Sequence, residues 1–268
     1  MRARGAAGGL PPVLLYHAIR RRGESAGARS ARLRQEQKVS EPRARRQGES
    51  ARATGQSELL KRSVDLLGSA VLLAAFAPVM AATSALIRLD SPGPVIFRAK
   101  RVGKEGRPFT IYKFRTMCSD AEARLGSLSG RNIGGDRFIR IPDDPRVTRA
   151  GRFLRQTGLD ELPQLWNIIR GDMSLVGPRP QAPTEVELYT AEERERLRVR
   201  PGLTGLWQIR AWNSLSFEDW IRYDCEYVRR RSLLLDLRIL AETPWSVANR
   251  IVRRRGSPAA RTAASVER

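Results

Sequence analysis

Leu66 to Ile87 is a run of 22 residues without a charge, and nothing else in the chain restricts its fold as strongly. As a helix it reaches about 33 Å at ~1.5 Å per residue, against a hydrocarbon core of ~30 Å. The run therefore predicts a helix in contact with a membrane. Pro78 divides it, with twelve residues before and nine after. A proline removes one helix hydrogen bond and crowds the preceding turn, so a break is expected there. Both flanks are basic, with Lys61 and Arg62 before the run and Arg88, Arg98, Lys100, Arg101 and Lys104 after it. A spanning helix carries its excess of Lys and Arg on one side. Two basic flanks fit a helix that dips in and returns, keeping both against an anionic leaflet. A kinked span and a buried core helix of a soluble domain remain the other readings of the same residues.

The whole chain carries 49 Lys and Arg against 28 Asp and Glu, a formal charge of +21 over 268 residues. Such an excess implies a polyanionic partner, which can be nucleic acid, an anionic membrane surface or a phosphorylated substrate. Residues 1–57 account for +9 of it, from 13 Lys and Arg against four Glu. Their composition predicts a basic disordered arm, and the double proline Pro11-Pro12 in its one apolar patch argues against a signal peptide. Residues 58–90 are the membrane segment, 91–252 the soluble domain and 253–268 a second disordered tail. Two cysteines, Cys118 and Cys225, and the single His17 exclude a disulfide framework, a multi-Cys zinc site and chemistry built on several histidines. Carboxylates, lysines and arginines are left as reagents.

From Ser91 the pattern changes. SPGPVIFR reads as a turn into a strand, and RPFTIYKFRT alternates apolar and polar residues after Gly103 and Gly106, which predicts a hairpin. The glycines between 120 and 137 predict a loop or lid. DDPRVTRAGRFLRQ reads as a turn followed by an amphipathic helix, ELPQLWNIIRG as a second helix stopped by Gly171, and PTEVELYTAEERERLRVR as a third. FEDWIRYDCEYVRRRSLLLDLRILAETPWSVANRIVRR supplies one or two more. The fold class expected is α+β, mostly helical, with a small hairpin or sheet beside a membrane segment.

The densest grouping of chemistry is TGLDELPQLWNIIRGDMSLVGPRP, residues 157–180. A helix starting just before Pro163 would put Asp160 at or near its N-cap and Glu161 in its first turn, where free N–H groups and the helix dipole hold carboxylates ionised and welcome a phosphate. Adjacent acids can divide labour, one attacking phosphorus while the other holds a divalent cation. A plain cap with a surface glutamate is the other reading of the pair. Pro178, Arg179 and Pro180 form a rigid turn suited to presenting one guanidinium to a phosphate. Lys113, Arg115 and Arg155 are candidate phosphate ligands as a set around the acidic pair. In RPGLTGLWQ, Trp207 can stack on a base and Gln208 can hydrogen-bond it, with Arg200 at the head of the motif as a further substrate ligand.

KRSVDLL, SPGPVIFRAKRVG, IYKFRTM, LDELPQLWNIIRGDMSLVGPRP, RPGLTGLWQ and SLLLDLRIL occur in this order between about Lys61 and Arg250. In them the chain resembles the bacterial sugar transferases, the monotopic phosphoglycosyl transferases that start glycan assembly on a polyprenyl phosphate. The resemblance implies a membrane-monotopic protein with a re-entrant helix hairpin broken at Pro78, and a catalytic domain with amphipathic interface helices facing the cytoplasm at the bacterial inner membrane. It implies an Asp-Glu dyad with Mg²⁺, in which Asp160 is the nucleophile and Glu161 its partner at the metal. The implied reaction has two steps: Asp160 attacks the sugar-bearing phosphate of a UDP-sugar and expels UMP, and polyprenyl (undecaprenyl) phosphate then collects the phosphosugar, initiating exopolysaccharide or other glycan assembly. The chain departs from the family pattern where Ala77 replaces the usual Ser before the proline, and where IRAWNSLSFEDW follows Trp207-Gln208 in place of a Gly-Arg turn. A membrane-anchored scaffold and a basic nucleic-acid-binding protein are the readings from other classes. The first gives no reason for the 157–180 motif, and no helix-turn-helix, zinc or RNA-binding motif supports the second, so no nucleic acid is expected as a partner.

Overall fold

The structure, a computed structural model, describes residues 58–135, 137–211 and 216–255. The basic arm 1–57 and the tail beyond residue 255 lie outside the described residues. A long helix, α1 (Glu58–Asp90), leads into an antiparallel hairpin of β1 (Ile96–Val102) and β2 (Pro108–Phe114). Ile96 faces Phe114 at one end of its register and Val102 faces Pro108 at the other. The connection turns through Glu105 and Gly106 at φ 58° and 78°. Then come α2 (Arg149–Thr157), α3 (Gln164–Arg170), β3 (Ser174–Val176) and a single helical turn α4 (Pro183–Val186). They are followed by β4 (Gly202–Thr204), α5 (Leu206–Arg210), α6 (Phe217–Arg230) and α7 (Leu233–Arg255). Residues Asp120–Pro142 fall outside the compact unit that holds the other described residues. Within that segment a 3-10 helix, Ala123–Arg131, runs into a turn organised by Asn132, whose side chain accepts from the Arg140 N–H at 2.7 Å and donates to the Gly135 carbonyl at 2.8 Å.

Helix starts follow local chemistry. Thr148 caps α2 by accepting from the Gly151 N–H at 3.0 Å, and Ser216 caps α6 through the Asp219 N–H at 3.2 Å. Gly171, at φ 88°, ends α3 in the left-handed conformation that a glycine enters without strain. One expectation fails here and one element is added. The charged stretch after Pro183 is not one helix, because Thr190 and Glu193 bond each other's backbone N–H at 2.7 and 3.2 Å and start a new 3-10 turn, Glu193–Arg198. A short parallel pairing of β3 with β4 also forms, Ser174 with Gly202 and Val176 with Thr204. Gly202 permits it, since a Cβ there would collide with the backbone of Gly177.

The main core joins the inner face of the hairpin (Phe109, Ile111) to α3 (Leu165, Ile168), β3 (Leu175, Val176) and Tyr227 and Ile239 of α6 and α7. A smaller core of Ile87, Phe114 and Leu154 packs the end of α1 on β2 and α2. The break expected at Pro78 does not interrupt α1, which runs continuously for 33 residues with the proline inside. One hydrogen bond is lost there, while both halves are held from outside. Leu72 and Leu73 pack on the main core before the proline, and Met80 and Ile87 on the smaller one after it. Among the described residues, α1 is the one helix long and apolar enough to cross a membrane.

The start of α1 is fixed by charge. Lys61 Nζ lies 2.7 Å from Asp236 on α7 and 3.6 Å from Asp65, all three buried. Asp65 accepts from the Ser174 hydroxyl and the Leu175 N–H, each at 3.0 Å, and Tyr227 donates to Asp236 at 2.8 Å. Burial and the neighbouring Asp236 carboxylate raise Tyr227 far above the usual phenol range, so it stays a donor. Removing one partner of a buried pair strands the other charge, at about 3–5 kcal/mol. Asp236→Ala is therefore expected to lose roughly that much unfolding free energy in detergent, and Lys61→Met with Asp236→Leu much less than the two single changes together. Additive losses in the double variant would dispose of the network.

Candidate functional site

After α2 the chain reverses at Gly158 (φ 76°) into a 3-10 turn, Leu159–Glu161, and passes through Pro163 into α3. Asp160 is thus not the N-cap of a helix. The backbone bonds Glu161 N–H to Gly158 O and Leu162 N–H to Leu159 O make one tight turn that carries both carboxylates. What fixes this turn is α3 behind it. Asn167, fully buried, accepts from the Tyr112 N–H at 3.1 Å and donates to the Thr110 carbonyl at 2.7 Å, so its amide pairs with β2 as a neighbouring strand would. Arg62 of α1 donates to the carbonyls of Ile168 and Ile169 at 2.6 and 2.8 Å, a cation at the negative end of α3. Locked to β2 in this way, the turn brings Glu161 to 2.8 Å from Lys113 Nζ, both side chains about four-fifths buried.

That ion pair lies at one end of an open cleft lined by Arg101, Lys113, Glu161, Gln164, Arg179 and Trp207, among others. Arg179 leaves the C-terminal end of β3. Its guanidinium sits 4.9 Å from the Trp207 ring centre and 5.6 Å from that of Trp220. Its backbone is held on both sides by a fully buried ion pair: its N–H donates to Asp224 at 3.2 Å, and its carbonyl accepts from Arg196 at 2.8 Å while Arg196 also binds Asp224.

Of the residues singled out by sequence, Lys113, Glu161, Arg179, Pro180 and Trp207 meet in this cleft. Asp160 adjoins it, within electrostatic reach of Lys113 on one side and Arg155 on the other. Arg155 itself donates to Thr116 at 2.9 Å. Arg115 does not reach the cleft. β2 ends at Phe114, and the Arg115 side chain is buried against the turn after α1, donating to the carbonyls of Ser91 and Pro92 at 2.6 and 2.7 Å. Arg200 is also elsewhere, donating to the Gly171 carbonyl at 2.9 Å beside Glu58. Gln208 is buried, its backbone carbonyl facing Ser246 of α7 at 3.3 Å, and the Pro178 carbonyl accepts from the Gly202 N–H. Sequence reasoning missed Arg101, Gln164, Arg196 and Asp224. The hairpin alternation carries a signal for the first, since Arg101 and Lys113 fall on one face.

The sequence profile of the bacterial sugar transferases matches residues 56–250. The chain belongs to the bacterial sugar transferase family. It is 42% identical over 187 residues to the exopolysaccharide production protein ExoY of Sinorhizobium fredii, covering 68% of this chain and 83% of that one. It is 40% identical over 186 residues to the galactosyl transferase CpsE of Streptococcus agalactiae, covering 69% of this chain and 41% of CpsE. To the UDP-N-acetylgalactosamine-undecaprenyl-phosphate N-acetylgalactosaminephosphotransferase of Aeromonas hydrophila it is 40% identical over 190 residues, 69% of this chain and 42% of that one. The chain thus spans about two-fifths of the length of the last two relatives.

In this member of the family, burial above all, and then the adjacent Glu161 charge, push Asp160 up to about 6, with Lys113 and Arg155 pulling the other way. Glu161 lines the cleft and Asp160 adjoins it; among the described residues no group of three or more His, Cys, Asp or Glu is placed to hold a metal. A folded-state value raised above the ordinary 3.8 means that ionising Asp160 costs native stability, a cost absent well below pH 4 and complete above about pH 6. Asp160→Asn should therefore stabilise the metal-free protein at pH 7.5, by roughly 1–3 kcal/mol, and have little effect at pH 4. Denaturant unfolding of both proteins at the two pH values measures it, and an equal difference at both would refute the assignment.

Proposed function

We propose that the chain transfers a sugar-1-phosphate from a UDP-sugar to polyprenyl (undecaprenyl) phosphate, releasing UMP, with Asp160 as the nucleophile. The observation that carries this reading is a cleft with the Glu161 carboxylate at one end, Asp160 adjoining it, and guanidinium groups at the other. Asp160 attacks the phosphorus that bears the sugar, a bond forms between its carboxylate oxygen and that phosphorus, and the bond to the bridging oxygen breaks. The electron pair leaves with UMP. An oxygen of polyprenyl phosphate then attacks the same phosphorus and frees Asp160, giving a polyprenyl diphosphate sugar. Both nucleophiles are anions already, so neither step calls for a general base, which suits a chain whose single histidine is His17.

Mg²⁺ fits the donor set. It is held by one or two carboxylates together with substrate phosphates and water, and Glu161, with Asp160 beside it, supplies such a pair next to a cleft of cations. Bound there, the ion would offset repulsion between the carboxylates and the diphosphate. Lys113 orients Glu161 and screens Asp160, and Arg179, stacked on Trp207, holds phosphate oxygens.

The polyprenyl acceptor calls for a membrane surface. The exposed side of α1 carries Leu66, Leu67, Val71, Val79 and Leu86. Its start, through Lys61 and Asp65, and its end, through Ile87 and the Asp90 carboxylate on the Ala150 N–H, both dock on the same body. A helix tied at both ends to one soluble body supports a monotopic protein lying on the cytoplasmic face of the inner membrane, where the +9 arm also meets anionic lipid. The same placement suits the first committed step of exopolysaccharide assembly.

Two experiments test this. Full-length protein given a panel of UDP-sugars, polyprenyl phosphate and Mg²⁺ should release UMP from at least one, and Asp160→Asn should lower that rate roughly 10³-fold or more. Release at the wild-type rate by the variant, or none by the wild type with any donor, ends the proposal. For topology, Ser57→Cys in a chain lacking Cys118 and Cys225 should resist a membrane-impermeant thiol reagent in intact cells and react after lysis. Labelling in intact cells would instead establish a span.

A further inference from the structure

Arg101 lies on β1, opposite Phe109 in the hairpin register, while Lys113 lies opposite Phe97. Residues two apart share a face, so Arg101 and Lys113 project from the same face, four residues or about 13 Å apart along the strands. Ile111 between them is buried and floors the cleft. The cleft therefore has a carboxylate end, where Lys113 meets Glu161, and a guanidinium end. The second end is drawn together by backbone: the Val102 N–H donates to the Gln181 carbonyl at 3.0 Å, which holds the end of β1 against the Pro178-Arg179-Pro180 turn.

Two arginines converge there without an acid bonded to either. Among the described residues, the recorded hydrogen bond of the Arg101 side chain is to the Lys100 carbonyl at 2.9 Å, and the Arg179 guanidinium faces aromatic rings. Loss of water holds Arg101 below the ordinary arginine value; the charge of Glu185 opposes this and that of Arg179 adds to it. An independent sign points the same way. Gln164 lines the same cleft, is 2% exposed, and its Nε2 has no hydrogen-bond partner among the described residues. A buried donor in that state costs stability unless an acceptor arrives. The cleft is thus short of oxygen acceptors and of negative charge.

Given the reaction proposed above, on which this inference rests, we infer that Arg101 is a further catalytic residue that, with Arg179, binds the phosphate departing with UMP. With the sugar-bearing phosphorus at Asp160, the other phosphate of the donor lies one bridging oxygen further into the cleft, where the long side chains of Arg101 and Arg179 extend toward it. When the bridging bond breaks, its electron pair stays on that phosphate, which changes from a singly charged diester to a doubly charged monoester. Two guanidiniums at that point gain attraction as the charge grows, so their effect is larger in the transition state than on the bound substrate.

The test is binding of UMP and of uridine to purified full-length protein by calorimetry, alongside turnover. Arg101→Ala should weaken UMP about 10- to 100-fold, leave uridine within twofold, and lower kcat as well as kcat/KM. Arg101→Lys should recover part of the loss, since it keeps the charge without the fork. Arg98→Ala removes the same charge from the opposite face of β1, where Arg98 stacks on Tyr112 at 5.8 Å, and should bind UMP as the wild type does. UMP binding by Arg101→Ala within twofold of wild type overturns the inference while Arg179→Ala still loses affinity. A wild type that binds no UMP overturns the functional reading itself. Should Arg101→Ala fail to fold, Arg101→Lys carries the test, with undiminished UMP affinity and kcat as the result against the inference.

Discussion

Lys61, buried between Asp65 and Asp236, is the contact on which the rest of this structure hangs. A lysine in such a place is tolerated only when its charge is matched and hydrogen-bonded. Two carboxylates match it, and both are themselves occupied: Asp65 with Ser174 and the backbone of β3, Asp236 with Tyr227. One network thereby joins α1, β3, α6 and α7, elements up to 175 residues apart in sequence. One residue further along α1, Arg62 reaches the C-terminal carbonyls of α3. The long apolar helix α1 and the helix behind the acidic pair are therefore set by consecutive side chains. That is a physical reason for KRSVDLL and SLLLDLRIL to bracket the matching region, since each supplies one side of the same buried pair.

The site depends on α3 in turn. Asn167 completes hydrogen bonds that β2 would otherwise give to another strand, and so fixes how far Lys113 lies from Glu161. An amide that satisfies one N–H and one carbonyl of a strand tolerates no slip by a single residue. On the opposite side, Arg196 and Asp224 hold Arg179 by its main chain, leaving its guanidinium to stack and to face the cleft. Two buried polar clamps thus fix the two ends of the site from behind, and neither clamp lines the cleft.

Much of this was legible in the sequence because it follows local rules. Alternation in RPFTIYKFRT marks the hairpin, the apolar spacing of DDPRVTRAGRFLRQ marks an amphipathic helix after a turn, and Gly171 marks a stop. What escaped depends on partners distant in sequence. Arg115 shares the alternation of Lys113, yet the strand ends between them and the turn after α1 captures its guanidinium. β3 and β4 are three residues each, too short to show a period, and exist because glycines let two backbones approach. Pro78 reads as a break on its own, whereas packing before and after it keeps one helix. Arg101 read as one more basic residue beside the membrane segment, because composition counts charges and the hairpin register decides which way they point.

The same register decides where part of the +21 of the chain is used. Net charge explains attraction to a polyanion but not which bond breaks, because a uniformly positive surface binds substrate and transition state alike. In the cleft, charge is sorted along one strand pair. At one end Asp160 sits beside the Glu161 charge, and burial opposes the ionisation of Asp160. At the other, Arg101 and Arg179 repel each other with no acid hydrogen-bonded to either guanidinium among the described residues. In the reaction proposed above, Asp160 would lower that cost by bonding to phosphorus, and the arginines would lower theirs by receiving a phosphate whose charge has just increased. Held apart in the cleft, the two sets of charges do not neutralise each other.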